Sequence, residues 1–405
     1  MEKSRLNYKK VTIILSLVLL LFAIAMAILK SSNDSPAVKT RTDSITPPPP
    51  KPTITGLSSK MLFAGTTFWG RYINDWSMVS ELKYAYPFSR LNEFGRENYD
   101  AWIAGLECPT SPRINMTSAQ MEANLQFNCR PEYLPEAAKW FTVFGLSNNH
   151  TDNQGELGFS ETRAELDKVG IQYFGHYNPE KYDDICEIVA LPARLKMSDG
   201  ATVVGQIPVV LCGYHGFIQN PTKKSRAIVK QYAERFLTIA LPHSGVEYRP
   251  APDAIKTDLY RELIDNGADA VLGDHPHWIQ NSEAYKGKLI VYSMGNFLFD
   301  QQLRPETTRS AAIVLDVAIE NASAKDLKAW TDLAKTCATF KDDCLNQAAA
   351  QNLVKPDYKI TFSVVGTENS NRILRPANES ETAAILGRLR WSETIAGLKP
   401  PYYGK

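Results

Sequence analysis

The chain has no excess of charge of either sign, no Cys-x-x-Cys pair and no internal repeat. Its 45 Lys and Arg residues nearly balance 44 Asp and Glu residues, which gives a formal net charge of +1 over 405 residues. A balanced chain has no global attraction for polyanions, so we expect no nucleic-acid partner. The missing Cys-x-x-Cys pair argues against zinc-finger and thioredoxin motifs.

A long apolar run occurs at residues 11–29, with basic residues before it. About 20 apolar residues cross a bilayer, and flanking positive charge stays in the cytoplasm. We therefore expect a cytoplasmic N-terminus over residues 1–10, a single-pass anchor in the cell membrane and an extracytoplasmic remainder. A cleaved signal peptide is the alternative, with Ala23-Ile24-Ala25 as a small-residue cleavage pattern. Residues 30–59, rich in Ser, Thr and Pro, predict an extended linker.

Six cysteines follow the apolar run. An even number outside the cytoplasm fits three disulfides. Sequence alone does not fix which cysteines pair, and pairing of nearest neighbours is the simplest hypothesis. It joins Cys108 to Cys129, Cys186 to Cys212, and Cys337 to Cys344.

Residues 60–405 predict one α/β domain. Short apolar strands alternate with amphipathic helices, a pattern typical of βαβ units. A β-hairpin, a pair of late strands and a helical insertion between those late strands are also expected. Their segments are 185–195 with 202–214, 311–319 with 358–365, and 324–352.

Several predicted strands end in residues that can bind metals or carry protons. Ligands in α/β sheets collect at the carboxyl ends of strands, so these side chains should lie close together. Imidazole, carboxylate and amide groups form the ligand set of a hydrolytic divalent-metal site. The residues concerned are Glu107, Asn149, His150, His243, His275 and His277. His176 and His215 are interpreted as ordinary core or surface histidines.

The same segments resemble motifs of the bacterial capsule-synthesis CapA family. They occur in the order of that family, as Leu106-Glu107-Cys108-Pro109, Ser147-Asn148-Asn149-His150, His243-Ser244-Gly245-Val246-Glu247, Gly273-Asp274-His275-Pro276-His277 and Ser293-Met294-Gly295-Asn296. The resemblance implies a calcineurin-like metallophosphatase fold, which is an α/β/β/α sandwich. It also implies a link to poly-γ-glutamate capsules.

The resemblance also implies roles for individual residues. Glu107 would bridge two metals, Asn149, His243 and His275 would bind one of them, and His277 would face the other. His150 would donate a proton to the leaving group. Thr66 stands where the family usually has aspartate, so we expect a single tight site for a divalent ion, with Mn, Zn, Fe and Mg not distinguishable.

Four further residues complete the predicted site. Arg71 is expected to bind an anionic substrate, with a surface ion pair as the alternative. Asn296 is expected to bind substrate or to cap a turn. Asp274 is expected to orient an imidazole, and Glu247 to position His243 or to lie on a loop.

Two functions follow from these expectations. The first is a membrane-anchored, extracytoplasmic CapA-like protein that acts in capsule or exopolymer biosynthesis as a metal-dependent hydrolase or transferase. The second is a non-catalytic surface protein that keeps the fold and assists polymer export or tethering. The expected partners are a polyanionic capsule or cell-surface polymer, the membrane and other capsule-synthesis membrane proteins.

Overall fold

A computed structural model describes residues 51–217, 219–339 and 341–405. The predicted anchor and nearly all of the predicted linker lie outside these residues. Within the described part of the chain, no helix is both long enough and apolar enough to cross a membrane.

The described strands form one mixed sheet that is organised around its first strand, β1. The first half of β1 pairs antiparallel with β5, and its second half pairs parallel with β2. Antiparallel pairing with β12 runs along the opposite edge. The strands are β1 Ile54–Thr67, β2 Ala101–Leu106, β3 Val143–Gly145, β4 Gln172–Phe174, β5 Cys186–Met197, β6 Thr202–Gly216, β7 Leu237–Ser244, β8 Ala270–Leu272, β9 Ser282–Tyr285, β10 Lys288–Val291, β11 Asn296–Leu298, β12 Arg309–Ile319, β13 Lys359–Glu368, β14 Arg375–Pro376 and β15 Tyr402–Gly404.

Two arms of the sheet lead away from β1. In one arm, β2, β3 and β4 are parallel. In the other, β5 and β6 form an antiparallel hairpin, β6, β7, β8 and β10 run parallel, and β9 closes the edge. Because the arms share β1, the strand ends of both arms deliver residues to one place.

Helices cover the outer faces of the sheet. Several begin with a side-chain cap, such as Asp253, which accepts a hydrogen bond from the Lys256 backbone N–H. The α-helices are α1 Arg71–Val79, α2 Ser118–Asn124, α3 Leu134–Ala137, α4 Gly155–Val169, α5 Tyr182–Ile185, α6 Lys223–Ala227, α7 Lys230–Ala233, α8 Ala254–Asp265, α9 Pro305–Thr308, α10 Ala324–Cys337, α11 Lys341–Ala350, α12 Glu379–Leu389 and α13 Trp391–Gly397. Short 3₁₀ turns occupy Lys83–Phe88, Leu91–Phe94, Arg96–Asn98, Pro131–Tyr133 and Ser370–Arg372.

The core consists of three clusters of buried apolar side chains. Successive residues of a strand point to opposite faces, and β1 shows this alternation. Met61 and Phe63 join a cluster with Val209 and residues from both arms. Leu62 packs in a second cluster with α1 to α4. The third cluster packs α8, α10 and α11 on the outer face of β6, around Val210.

The hairpin, the paired late strands and the helical insertion predicted from the sequence are confirmed. The expected linker boundary needs a correction, because residues 54–59 belong to β1 and pair with β5 and β12. Ser, Thr and Gly in this segment hide a strand whose backbone hydrogen bonds do not depend on side-chain type. One helix expected over 223–235 is instead two short helices.

Three disulfides are present, and the nearest-neighbour pairing is confirmed. Cys186 and Cys212 face each other in the β5–β6 hairpin. The other two disulfides join Cys108 to Cys129 and Cys337 to Cys344, and the latter links α10 to α11. No described cysteine is free.

Candidate metal centre

Three buried side chains from three strand ends converge at the point where the two arms meet. Glu107 follows β2, His243 lies near the end of β7 and His275 follows β8, with ligand-type atoms that all lie within 4.8 Å of one another. The residues are 1%, 6% and 0% exposed, respectively. The chain is brought to this geometry by register, since His243 pairs in parallel with Asp274, which directly precedes His275.

The cluster contains hydrogen-bond acceptors that lack donors. Both carboxylate oxygens of Glu107 and Nε2 of His275 are buried without a hydrogen-bond partner among the described residues. Leaving such groups unsatisfied costs about 1–3 kcal/mol each, and more for a charged group. A set of converging lone pairs is what a divalent cation binds, so these residues fit a metal ion.

Asn149 joins the cluster through its amide oxygen. Its Oδ1 lies 2.8 Å from Nε2 of His243, and the same Nε2 lies 3.1 Å from Nδ1 of His275. Oε1 of Glu107 is 3.7 Å from this nitrogen. The four residues expected to share one ion are therefore brought together around His243.

The loop after β8 holds its histidines in a strained backbone conformation. His275 has φ of +96° and His277 has φ of +59°, both in the region that favours glycine. Gly273 begins the loop, and a Cβ there would lie 2.2 Å from the Tyr260 hydroxyl. Strain of this kind costs about 1–3 kcal/mol per residue and is typical of functional sites.

Burial shifts the titration of the cluster toward neutral side chains. Burial, followed by the charges of Asp274 and Glu247, raises the pKa of Glu107 well above its usual value. Burial also lowers the pKa values of His243 and His275 well below the usual range. Neutral imidazoles keep their lone pairs for a ligand, and a bound cation would favour the ionised carboxylate.

His277 lies at the edge of the cluster. Its Nδ1–H donates to Oδ1 of Asn296 at 2.7 Å, which leaves Nε2 facing Glu107 at 3.9 Å and Glu247 at 4.0 Å. Burial lowers the pKa of His277 to about 4. Tyr248 stacks on the ring at a centroid distance of 5.7 Å.

Two predicted roles change with this geometry. Asn296 is fully buried, and its amide also donates to Gln301 and to the Thr307 carbonyl, so it orients His277 and does not contact substrate. Glu247 approaches His277, whereas the sequence suggested His243. Strand pairing brings Asn296 beside Thr66, a relationship that sequence spacing does not reveal.

Asp274 also departs from its expected role. Its Oδ2 accepts a 2.6 Å hydrogen bond from the Thr66 hydroxyl, and its Oδ1 has no partner among the residues described. It therefore orients no imidazole. Burial raises the pKa of Asp274 to about 7.

Arg71 does not present a free positive charge. Its guanidinium donates to both carboxylate oxygens of Asp300 and to Glu122, and it packs against the Phe127 ring. The side chain is only 9% exposed. Because two carboxylates already neutralise it, the prediction that Arg71 binds an anionic substrate is corrected to a buried ion pair.

His150 lies beside the cluster with a fixed orientation. Its Nδ1–H donates to Oδ1 of Asn153 at 2.9 Å, and its ring packs on Phe127 at 4.2 Å. Burial lowers the pKa of His150 to about 4. The imidazole is therefore neutral at pH 7, and Nε2 can accept a proton before returning it. Asn153 and Phe127, which hold it, were not predicted from the sequence.

His215 is a histidine whose position the sequence interpretation missed. It is 6% exposed and pairs in register with His243 across β6 and β7. The signal that identified the other site residues was available, because His215 directly follows the predicted strand 202–214. His176 is buried elsewhere, and its Nδ1 accepts a hydrogen bond from the Asn178 backbone.

Fold and site together define an α/β protein with a buried carboxylate–imidazole centre suited to a divalent cation. The profile of the family described as "Bacterial capsule synthesis protein PGA_cap" matches residues 60–301. This covers more than half of the chain, and the chain belongs to that family.

Individual relatives agree with this assignment. "PGA biosynthesis protein CapA" of Bacillus subtilis (strain 168) is 28% identical over 384 residues, covering 90% of this chain and 91% of the relative. "Capsule biosynthesis protein CapA" of Bacillus anthracis is 26% identical over 252 residues. That match covers 60% of each protein, so this chain spans about three fifths of the Bacillus anthracis relative. A crystal structure of the protein TT1561 from Thermus thermophilus is 11% identical, covers 63% of this chain and 93% of its own, and has a TM-score of 0.31, which carries no argument.

Proposed function

We propose that the chain is an extracytoplasmic capsule-biosynthesis protein that performs metal-dependent hydrolysis or transfer on a cell-surface polymer. The observation that carries the proposal is the buried cluster of acceptors without donors at Glu107, His243 and His275. Family membership and the names of both Bacillus relatives support the capsule role.

Glu107, Asn149, His243 and His275 would hold the ion. A divalent ion bound there would polarise a carbonyl or phosphoryl oxygen and make water more acidic. His150 would hold or move a proton at Nε2, because Asn153 fixes its other nitrogen. Carboxylate, amide and imidazole donors suit Mn, Zn, Fe and Mg, so the donor set does not select among them.

A groove of about 640 Å³ beside the centre is where we place the polymer. It extends from Arg71 and Tyr248 along Trp76 and Trp278 to Arg304. Tyr248 connects the groove to the centre through its stacking on His277. The guanidinium of Arg304, on the groove wall, would attract the polyanionic polymer that we propose as partner.

The fold that we propose is the α/β/β/α sandwich of the metallophosphatases. Support comes from the arrangement of apolar clusters. One cluster draws on both arms of the sheet, and the other two pack helices on the outer faces. This is the layering expected of two sheets packed face to face.

We also propose that residues 11–29 anchor the protein in the cell membrane, with the described domain outside and near other capsule-synthesis membrane proteins. Three disulfides support an oxidising compartment. Labelling of intact cells with an impermeant amine reagent tests the topology. Labelling of surface lysines such as Lys223 only after lysis would contradict it.

A second function, a non-catalytic protein that tethers or exports polymer, is favoured by one observation. Thr66 presents a hydroxyl, already bonded to Asp274, at the position where a second metal would need a carboxylate. A centre that binds one ion can serve a purely structural purpose.

Activity measurements separate the two functions. Purified protein loaded with Mn²⁺ or Zn²⁺ is assayed on poly-γ-glutamate and on bis-p-nitrophenyl phosphate, with His275→Gly as the matched variant lacking one ligand. Metal-dependent turnover that His275→Gly abolishes supports hydrolysis or transfer. Polymer binding without turnover in any metal supports the tethering function.

A further inference from the structure

His215 is placed at the candidate centre by strand register. It pairs directly with His243 across the parallel strands β6 and β7. Residues opposite each other in neighbouring strands point to the same face of a sheet. His215 therefore directs its ring toward the same side as the proposed ligand His243.

The hydrogen bonding of His215 fixes its tautomer. Nδ1 lies 2.7 Å from the Tyr177 carbonyl oxygen, which can only accept, so the ring hydrogen sits on Nδ1. Nε2 consequently carries a lone pair. That nitrogen is buried and has no hydrogen-bond partner among the described residues.

The orphaned Nε2 matches the unsatisfied atoms of the centre in kind. Glu107 and His275 also present buried acceptors without donors. His215 is absent from the group of ligand atoms that lie within 4.8 Å of one another, so direct coordination together with that group is not indicated. A water molecule can connect such an acceptor to a cation, because it donates hydrogen on one side and offers oxygen on the other.

We propose that His215 is a further positioning residue of the cation site, acting through one bridging water molecule held by its Nε2 lone pair. The inference rests on the cation site of the proposed function. It goes beyond that function by adding a fourth imidazole, from β6, to those of His243, His275 and His277. Residues that support a metal in this indirect way typically change affinity 10–100-fold when replaced.

Binding of Co²⁺ to the full-length protein in detergent tests the proposal, since the visible spectrum of Co²⁺ reports its surroundings. His215→Asn keeps a donor near the Tyr177 carbonyl but removes the acceptor at Nε2. His215→Gln places an acceptor near the lost Nε2. His176→Asn is the matched control, because it changes a buried histidine that lies away from the site.

We expect His215→Asn to weaken Co²⁺ binding about 10-fold or more. We expect His215→Gln to recover most of the affinity with an altered spectrum, and His176→Asn to match the unmutated protein. Equal affinity and spectrum in His215→Asn and His176→Asn would overturn the assignment of His215 alone. If His215→Asn does not fold, an unaltered spectrum in His215→Gln overturns it. Absence of Co²⁺ binding by the unmutated protein would overturn both the cation site and this assignment.

Discussion

The hydroxyl of Thr66 donates a hydrogen bond of 2.6 Å to the carboxylate of Asp274. Thr66 lies near the end of β1, and Asp274 follows β8, so the bond joins the two arms of the sheet beside the metal centre. The family resemblance leads us to expect a carboxylate at position 66. In this chain the acidic group comes from Asp274, which is already engaged by a neutral hydroxyl. The centre is therefore unequal, with complete donors only around His243.

Thr66→Asp should make the centre dependent on metal. The change places another carboxylate beside Asp274 and Glu107, and buried like charges repel. We expect the metal-free protein to melt at a lower temperature and Mn²⁺ to raise its melting temperature more than in the unmutated protein. Thr66→Asn, which has the same size without the charge, is the control. The same response to Mn²⁺ in both variants would contradict the account.

His277→Asn should reduce the loss of stability in acid. Burial lowers the pKa of His277 from 6.5 to about 4, so the folded state binds fewer protons than the unfolded state. The stability that this provides is complete above pH 6.5 and is lost as the pH falls toward 4, by about 3 kcal/mol. Asparagine can donate to Asn296 and tolerates the positive φ.

Urea denaturation of metal-free protein at several pH values measures this effect. Glu107 and Asp274, whose pKa values are raised, shift stability in the opposite direction, and they are present in both proteins. The difference between variant and unmutated protein therefore isolates His277. A difference that stays constant from pH 7 to pH 4 would refute the prediction.

A chain that starts at Lys60 should be less stable than one that starts at Pro52. The later start removes the part of β1 that pairs with β5. At about 1 kcal/mol per backbone hydrogen bond, the free energy of unfolding should fall by roughly 2–4 kcal/mol. Guanidinium titration of both chains measures it, and equal midpoints would show that residues 54–59 do not contribute.

The disulfides should differ in their contribution to stability. Cys186 and Cys212 are 26 residues apart, whereas Cys337 and Cys344 are 7 apart. Because closing a longer loop restricts the unfolded chain more, the double Ala replacement in the first pair should cost about 1 kcal/mol more. Calorimetry of both variants without reductant gives the comparison, and the reverse order would count against a loop-entropy origin.

Much of the centre could be predicted because its residues follow strands. Glu107, Asn149, His243 and His275 come from distant segments, yet each ends a recognisable apolar run. Parallel pairing then brings those ends together, which makes a local pattern informative about a long-range contact. His215 obeyed the same rule and was overlooked because a single histidine was given an ordinary role.

The predictions that failed concern partners that strand position does not specify. Asp300 and Glu122, which neutralise Arg71, lie far from it in sequence. Asn296 reaches His277 only because β11 pairs with the end of β1. The sequence identified the residues with chemical potential, but tertiary contacts decide whether a charge or an amide is free to bind substrate.

The ratio of divalent metal to protein, measured by plasma mass spectrometry after exhaustive dialysis against metal-free buffer, tests the central claim most directly. The account predicts close to one ion per chain, because Glu107, Asn149, His243 and His275 converge while Thr66 offers only a hydroxyl. His275→Gly, which suits the positive φ, should lower the ratio to near zero while the protein remains folded by circular dichroism. Two tightly held ions per chain, none, or one that His275→Gly retains would contradict it.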